Sequence, residues 1–312
     1  MNSKKDVFII INTAFFGDIL LCNSLCQNIK ICYPNSKVVF ITGKNFADAA
    51  IYQKDVDEVY IYDKNNLHKG IFGMFKFLEE FPYRNVNAIF LPYSSYSKYI
   101  LSLLIGAKKI VTEIKENKHL KNQHKHTLLL SKVTDKEIKN LPIKYETNGE
   151  LPQKLEKYFK KDTKYIAFCP ISKRIEKDIP INTAKELINL VNDKTNYKII
   201  FCGTGQKAQE YSDELEKLGC NFIDLTNQTT IPELASVIKN CIALISVDTG
   251  TMHLGCALDV PTAVVFYEDE KIQAWGPDDR LYKSVIINSN QTAENILNKV
   301  ESLLTGENNA KG

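Results

Sequence analysis

The sequence predicts an α/β protein with two doubly wound, Rossmann-like domains facing a central cleft. Three observations support this fold class. Short β-rich apolar runs alternate with helical patterns along most of the chain. The alternation weakens into a Lys-, His-, Asn- and Glu-rich region at about residues 117–161 and then restarts. The chain of 312 residues, 44% of them hydrophobic, is long enough to bury two cores of ordinary size.

Alternating strands and helices imply right-handed crossovers and a mostly parallel sheet in each domain. We therefore expect an N-terminal domain at residues 1–160 and a C-terminal domain at 161–312, and we leave open whether the C-terminal helix packs back on the first domain. Ligands of such sheets bind beyond the carboxyl ends of the strands. The loops that follow the strands therefore hold the candidate functional residues.

The first domain begins with the β-rich run at residues 7–11, which a polar loop joins to a helical pattern at 18–31. The same two patterns then recur. We expect further strands at residues 37–42, 58–62, 88–92 and 108–112, and further helices at 46–53 and 95–104.

The second domain begins with a strand at residues 164–169 and repeats the alternation. We expect further strands at residues 197–202, 221–224, 241–247 and 262–267. We expect helices at residues 183–191, 206–218, 231–239 and 252–258.

Charge, cysteines and hydropathy exclude several classes of protein. The net charge of +3 and the pI of about 8.2 are too mild to argue for nucleic-acid binding. The eight cysteines stand singly, without a CxxC pair or a His-rich spacing, so we expect reduced thiols and no metal site. The apolar run near the N-terminus is too short for a signal peptide or a membrane span. We therefore expect a cytoplasmic protein whose contact with the inner face of the membrane, if any, is peripheral.

A strand-to-helix junction in the second domain is a candidate anion site. The apolar strand at 241–247 stops at Asp248, and Gly250 stands between Thr249 and Thr251 before a short helix. Backbone N–H groups at a helix start, with threonine hydroxyls, form an anion cradle, and a glycine lets phosphate approach the backbone closely. An ordinary turn capped by Asp and Thr is the alternative.

A cationic loop follows the first strand of the second domain. It carries three cations and a hydroxyl, at Ser172, Lys173, Arg174 and Lys177. At the carboxyl end of a strand, such cations would neutralise a diphosphate leaving group. A solvated charged loop is the alternative, because exposed lysine is the norm.

A carboxylate stands at the first strand-to-helix junction of the chain. Asp18 follows the polar loop at residues 12–17 and lies at the predicted start of a helix. A carboxylate there can take a proton from an attacking hydroxyl. The helix end would keep Asp18 ionised, which secures the base form but weakens its basicity. The alternative role of Asp18 is a stabilising N-cap.

The glycine pair Gly203 and Gly205 follows another strand and suggests a dinucleotide fingerprint. The third glycine is missing, and no acidic residue follows at the expected distance. The sequence therefore argues against a nicotinamide cofactor.

Together these motifs resemble glycosyltransferase family 9, the bacterial heptosyltransferases of lipopolysaccharide and related glycans, over most of the chain. The resemblance rests on Gly17-Asp18-Ile19-Leu20, on Lys177-Asp178-Ile179-Pro180, on Ser246-Val247-Asp248-Thr249-Gly250-Thr251-Met252-His253-Leu254 and on Trp275-Gly276-Pro277.

The resemblance implies the GT-B fold, an acceptor-binding domain followed by a donor-binding domain, inversion of the anomeric centre, and no metal or other cofactor. It implies that Asp18 is the general base and that Lys177 binds the donor diphosphate. It implies further donor contacts from Ser172, Lys173, Gly203, Gln206, Thr229, Asp248, Thr249, Gly250, Thr251 and His253. Acceptor contacts are expected from Thr13, Gly17, Lys118 and Lys121.

The acceptor domain contains a basic stretch at residues 108–126, with six lysines and three histidines against two glutamates. This charge favours an anionic glycan or glycolipid acceptor. A solvated loop in a lysine-rich protein is the alternative.

We therefore expect an inverting glycosyltransferase that moves heptose from ADP-heptose onto a hydroxyl of a bacterial surface glycan, either a lipopolysaccharide or lipooligosaccharide core or a capsule. Two departures from the family leave the sugar and the nucleotide open. Gln206 or Lys207 stands where an acidic residue usually contacts the ribose, and Tyr267-Glu268-Asp269-Glu270 replaces the usual Gly-Pro-Thr-Asp. The alternatives are a transferase of the same fold with another nucleotide sugar, and a non-catalytic nucleotide-sugar-binding protein.

Overall fold

The computed structural model describes residues 5–112 and 120–306. The chain divides into two compact units, Met1–Glu146 and Thr147–Gly312. This division lies before the boundary expected between residues 160 and 161, because the intervening segment packs on the second unit. Lys154 Nζ lies 2.8 Å from Glu233 Oε1, and the Asn240 side chain donates a hydrogen bond of 2.7 Å to the Gly149 carbonyl.

The first unit holds a five-stranded sheet in the order β3-β2-β1-β4-β5, and all its neighbouring strands are parallel. Its strands are β1 (Val7–Ile11), β2 (Lys37–Thr42), β3 (Glu58–Ile61), β4 (Ala88–Leu91) and β5 (Ile110–Thr112). Its helices are α1 (Phe16–Leu20), α2 (Asn23–Cys32), α3 (Asp48–Ile51), α4 (Gly70–Glu80), α5 (Tyr96–Ile105) and α6 (Asn122–Leu128).

The strand order determines which helices share a face of this sheet. The chain moves from β1 through β2 to β3 in one direction and then passes to β4 and β5 in the other. Because parallel crossovers are right-handed, the connections before and after β3 lie on opposite faces. The helices α4 and α5 share one face, where Met74, Phe77 and Leu101 pack into one core with the strand residues Ile9 and Ile89.

The helix expected at residues 18–31 is two helices. The first, α1, ends at Leu20, and α2 begins at Asn23. Between them the Cys22 N–H donates to the Ile19 carbonyl, three residues back, at 3.1 Å. Such a tight turn interrupts the α-helical ladder, so Asp18 lies on the short first helix.

The second unit holds a six-stranded parallel sheet in the order β11-β10-β9-β6-β7-β8. Its strands are β6 (Lys164–Cys169), β7 (Tyr197–Phe201), β8 (Ile223–Asp224), β9 (Ala243–Val247), β10 (Thr262–Val265) and β11 (Ser284–Ile287). Its helices are α7 (Gln153–Glu156), α8 (Ile181–Lys194), α9 (Gln206–Lys217), α10 (Ile231–Lys239), α11 (Gly250–Ala257), α12 (Asp269–Trp275) and α13 (Ala293–Thr305).

The last helix, α13, packs on the sheet of its own unit. Its residues Ile296, Leu297 and Val300 are buried in the same core as Leu187 of α8 and Ile245 of β9. The apolar side of α13 is thereby used within the second unit. None of the helices in the described part of the chain combines the length and apolar composition needed to cross a membrane.

Candidate active site

Four adjacent parallel strands of the second sheet end at one edge, and the loops that follow them carry the expected donor-binding motifs. The strands are β10, β9, β6 and β7. The cationic loop at residues 170–180 follows β6, the glycine pair follows β7, Asp248 follows β9, and Glu268 follows β10. Because carboxyl ends of parallel strands meet at one edge, motifs that are distant in sequence become neighbours there.

Lys177 is held between two carboxylates at this edge. Its ammonium pairs with Asp248 and lies 3.3 Å from Glu268 Oε2. The three side chains are only 14%, 11% and 18% exposed, respectively. Among charges so shielded from water, pairing is strong. An anion that binds Lys177 therefore competes with these carboxylates for its charge.

Arg174 extends the same charged cluster. Its guanidinium lies 3.0 Å from Glu268 Oε1 and 2.6 Å from Glu176 Oε1. Burial would raise the pKa of Glu268, but the hydrogen bonds from Lys177 and Arg174 hold that pKa below its ordinary value. Glu268 therefore stays ionised and neutralises part of the cationic charge that the sequence places on this loop.

The cationic loop is shaped by its own hydrogen bonds and by α9. Asp178 accepts the Ser172 N–H at 2.7 Å, and Lys207 Nζ lies 2.5 Å from the same carboxylate. The Ser172 hydroxyl donates to the Arg174 carbonyl at 2.6 Å. Lys173 is exposed on this loop. Of the two expected donor contacts, the Ser172 hydroxyl thus bonds the loop backbone, and the Lys173 side chain faces solvent.

The junction after β9 forms the expected helix N-terminus. Thr249 is the extended residue before α11, but its side chain does not cap the helix; its Oγ1 lies 3.4 Å from Ser246 Oγ. The first N–H groups of a helix have no partner within the helix, and here no side-chain cap takes one of them. Gly250 and Thr251 begin the helix, and His253 is buried one turn in. This end of α11 can accept a phosphate oxygen.

Three further expected donor contacts lie along the same edge. Gly203 packs against α9 so closely that a Cβ at this position would lie 2.8 Å from Ala208 Cβ. Gln206 is exposed and donates to Glu210 Oε1 at 2.8 Å. Thr229 is half-buried in the loop after β8. The Gln206–Glu210 pair thus brings a carboxylate next to the position where the family usually has an acidic residue.

In the first unit, Asp18 is buried and both of its oxygens accept hydrogen bonds. Its Oδ2 accepts the Phe15 N–H at 3.2 Å, and its Oδ1 accepts the Tyr93 hydroxyl at 2.9 Å. Burial raises the pKa of Asp18 above its ordinary value, and the bonds from Tyr93 and Phe15 and the charge of Lys98 oppose this rise. The sequence predicted an aspartate kept ionised by the helix end. Burial instead makes Asp18 a stronger base than an exposed aspartate.

Tyr93 is fixed from two sides. The buried ammonium of Lys98 donates to the Tyr93 carbonyl at 2.7 Å, and burial lowers the pKa of Lys98 to about 8. The ring of His126 stands edge-on to the Tyr93 ring at 5.2 Å, and its Nδ1 lies 3.9 Å from Cys22 Sγ. The tyrosine hydroxyl is thus oriented toward Asp18 by residues of α5 and α6.

A cavity of about 240 Å³ opens beside the loop that precedes α1. It is lined by two lysines, three asparagines, three aromatic residues and the small or acidic residues between them: Thr13, Ala14, Phe15, Gly43, Lys44, Asn45, Phe46, Tyr62, Asp63, Lys64, Asn65 and Asn66. Amides, aromatic faces and cations are the groups that recognise sugar hydroxyls, sugar rings and anionic substituents. Asp18 does not itself line the cavity, but Phe15, whose N–H donates to Asp18, does, so the cavity lies next to the loop that leads to the carboxylate.

The expected acceptor residues have different positions. Thr13 lines the cavity, while Gly17 is buried within α1. Lys121 lies at the start of α6, the helix that carries His126. Lys118 lies outside the described residues.

Sequence reasoning missed Tyr93, Lys98 and the pairing of Glu268 with Lys177. Tyr93 follows β4, so the rule that strand ends carry functional residues was sufficient to find it. Lys98 is a single lysine on the inner side of an otherwise apolar helix, which is also a visible signal. Within residues 5–112 and 120–306, no three His, Cys, Asp or Glu side chains come together as metal ligands would.

The sequence was compared with protein-family models and with curated proteins. Residues 96–303 match the model of the family described as glycosyltransferase family 9 (heptosyltransferase). No curated protein sequence matches the chain significantly.

Solved structures show the same fold. A glycosyltransferase family 9 protein from Veillonella parvula superposes with a TM-score of 0.85 at 15% identity, over 98% of this chain and 99% of that one. The E. coli ADP-heptose LPS heptosyltransferase II has a TM-score of 0.79 at 15% identity, over 97% and 99%. The E. coli heptosyltransferase WaaC with ADP has a TM-score of 0.78 at 18% identity, over 95% and 99%. With more than half of its residues matched by the family model, the chain belongs to glycosyltransferase family 9 and is a glycosyltransferase of the GT-B fold.

Proposed function

We propose that this enzyme transfers heptose from ADP-heptose, with inversion, to a hydroxyl of a bacterial surface glycan, the core of a lipopolysaccharide or lipooligosaccharide or a capsule. The observation that carries the proposal is the state of Asp18, a buried carboxylate of raised pKa whose two oxygens are held by Tyr93 and the Phe15 N–H. A binding protein has no use for a base prepared in this way.

The donor diphosphate is proposed to bind between Lys177 and the N-terminus of α11. A phosphate oxygen takes the ammonium of Lys177 from Asp248 or Glu268, with which it pairs in the free protein. Another phosphate oxygen accepts hydrogen bonds from the first N–H groups of α11. The carboxylate released from Lys177 is free to accept hydrogen bonds from sugar hydroxyls, the role expected for Asp248.

The chemistry follows as a single displacement. The acceptor oxygen attacks the anomeric carbon while the bond from that carbon to the diphosphate oxygen breaks, and the acceptor proton passes to Asp18. ADP leaves with the bonding electrons, and the attack from the opposite side inverts the anomeric centre. Lys177 and the helix N-terminus stabilise the charge that develops on the leaving group. For this reason we propose that no metal ion or other cofactor takes part.

An anionic glycan or glycolipid is proposed as the acceptor. The cavity beside Asp18 carries the cations of Lys44 and Lys64 together with asparagine amides and aromatic rings. This mixture supports a sugar that bears phosphate or carboxylate groups. We propose that transfer takes place in the cytoplasm, at the inner face of the cytoplasmic membrane.

The donor nucleotide is the open part of the proposal. Of the two E. coli relatives, WaaC was solved with ADP, and the other is an ADP-heptose LPS heptosyltransferase. In this chain the exposed Gln206, paired with Glu210, stands where the family usually has an acidic residue. A related transferase that uses another nucleotide sugar is therefore the second candidate.

Calorimetry with ADP-heptose, GDP-mannose and UDP-glucose tests the donor, and turnover of the Asp18→Asn variant tests catalysis. We expect ADP-heptose to bind most tightly. We expect the variant to bind the donor as the wild type does and to lose about 10²- to 10⁴-fold in kcat, the usual contribution of a general base. If none of these nucleotide sugars binds, the proposed function is wrong; if Asp18→Asn retains full turnover, Asp18 is not the base.

A further inference from the structure

The first unit exposes large apolar side chains on two of its helices. On α4, Phe72 is 88% exposed and Phe75 is 49% exposed. On α5, Tyr96 is 84% exposed and Leu103 is 56% exposed. The apolar patch, as we call it, consists of Leu67, Ile71, Phe72, Phe75, Tyr96, Tyr99, Leu103 and Leu104.

The two helices lie side by side, so these residues form one surface. Both helices pack on the same face of the sheet, and right-handed crossovers make them parallel. The loop that follows α4 reaches the end of α5, where the Asn85 N–H donates to the Ile105 carbonyl at 3.0 Å. In the described part of the first unit, α4 and α5 are the successive connections β3–β4 and β4–β5 on this face, so they are neighbours across it.

The exposed residues are additional to those that build the core. On α4, the residues Met74, Phe77 and Leu78 already supply the buried stripe that faces the sheet. A solvent-facing helix surface normally carries polar residues, and single exposed apolar residues need no explanation. Seven large apolar residues on two adjacent helices, with Leu67 just before the first of them, are different, since contiguous patches of this kind mark interaction surfaces.

The charges around the patch indicate what it binds. The lysines Lys64, Lys69 and Lys76 are exposed before and along the first two turns of α4, while Glu79 and Glu80 stand in its last turn, two turns after Phe72. A surface with apolar residues in the middle and lysines beside them complements anionic lipid headgroups over acyl chains. The tyrosines of α5 suit the same boundary, where aromatic rings with a polar end are enriched.

The patch is also continuous with the cavity beside Asp18. Residues 62–66 line the cavity, and Leu67 begins the patch immediately afterwards. Both helices begin at the carboxyl edge of the sheet, where the cavity lies.

We propose that the outer face of α4 and α5 docks on a bilayer that contains anionic lipids, and that this contact holds the cavity at the membrane surface. The use of the cavity by a lipid-attached acceptor rests on the proposed function. The docking itself does not, because it is measured without donor or acceptor.

Co-sedimentation of the full chain with vesicles tests the docking. The vesicles contain phosphatidylcholine alone or with about 30% phosphatidylglycerol, at about 0.1 M and about 0.5 M salt. We expect binding to the anionic vesicles that weakens at the higher salt concentration, and weaker binding to phosphatidylcholine alone. Wild-type protein that stays in the supernatant with both vesicle types overturns the proposal, whether or not the enzyme transfers heptose.

Two substitutions and a matched control locate the contact. Phe72→Ser removes the most exposed ring of the patch, and we expect its vesicle partition coefficient to fall at least about tenfold. Lys76→Glu is expected to reduce binding to anionic vesicles specifically. Ile31→Ser is the control, since Ile31 is 47% exposed on α2, on the opposite face of the sheet, and its binding should equal that of the wild type.

Two further results would overturn the proposal. One is a loss of vesicle binding in Ile31→Ser as large as that in Phe72→Ser. The other is a wild-type dimer, detected by sedimentation velocity, that Phe72→Ser converts to a monomer while vesicle binding persists; the patch is then an interface between two copies of the chain. Thermal unfolding of each variant checks that the fold is intact, as expected for exposed positions.

Discussion

Lys177→Ala is predicted to weaken donor binding strongly. A hydrogen bond between a buried ammonium and a phosphate oxygen contributes about 1.5–3 kcal/mol, which corresponds to a loss of about 10- to 150-fold in affinity. Because the Lys177 side chain is only 14% exposed, solvent screens this contact little. The substitution also leaves Asp248 facing the diphosphate without its cation, while Glu268 keeps Arg174 as its partner. We therefore expect the effect to lie in the upper half of this range.

Isothermal titration of the variant with ADP-heptose, or with whichever nucleotide sugar the wild type binds best, measures this effect. Lys217→Ala is the matched control, because it removes the same charge from the same unit at the far end of α9 and should leave affinity unchanged. The affinity of Lys173→Ala should lie between those of these two variants, because Lys173 is on the same loop as Lys177 but is exposed. An affinity of Lys177→Ala within twofold of the wild type would refute the assignment of the diphosphate to this ammonium.

Three further substitutions have defined outcomes. Tyr93→Phe removes a hydrogen bond that lowers the pKa of Asp18; that pKa should rise, and the acid limb of the kcat/KM profile should move to higher pH, with about tenfold lower kcat/KM on that limb. Glu268→Gln removes a carboxylate that competes with the diphosphate, so donor affinity should increase about two- to fivefold in calorimetry; an unchanged or weaker affinity would contradict the competition. Gly255→Ala places a Cβ 2.5 Å from Leu244 Cδ2, and urea unfolding should show a loss of about 1–2 kcal/mol.

Local signals were sufficient for most of the fold. The helix expected at residues 231–239 is α10, and its start is explained by a capping box between Thr230 and Glu233. The sequence did not predict α4, because Gly70 and Gly73 lower helix propensity and six large apolar residues flank the second glycine. That helix depends on packing against the sheet, where Met74, Phe77 and Leu78 share a core with residues of β1 and β4. Such tertiary contacts are invisible in a sequence window.

The sequence singled out residues of the candidate site but not their arrangement. The motifs led to Asp18, Lys177 and Asp248, and the strand order brings the last two into contact. The sequence could not predict that burial dominates the environment of Asp18, since this depends on Tyr93 and Lys98 from a strand end and a helix that follow much later. The helix-end effect expected from the sequence is local, whereas desolvation is a property of the whole packed unit.

The charges of the second unit show why counting cations along a loop overestimates attraction for a diphosphate. Lys177 is already paired with Asp248 and Glu268 in the free protein, so a bound anion replaces existing contacts and does not simply add new ones. On the proposed function, phosphate alone would take the ammonium and leave a buried carboxylate without a partner, which is costly. A nucleotide sugar compensates, because its hydroxyls donate to the released Asp248 while its diphosphate takes Lys177. The same ion pair that lowers the affinity for free phosphate therefore favours the intact donor, since only a ligand with both groups satisfies both members of the pair.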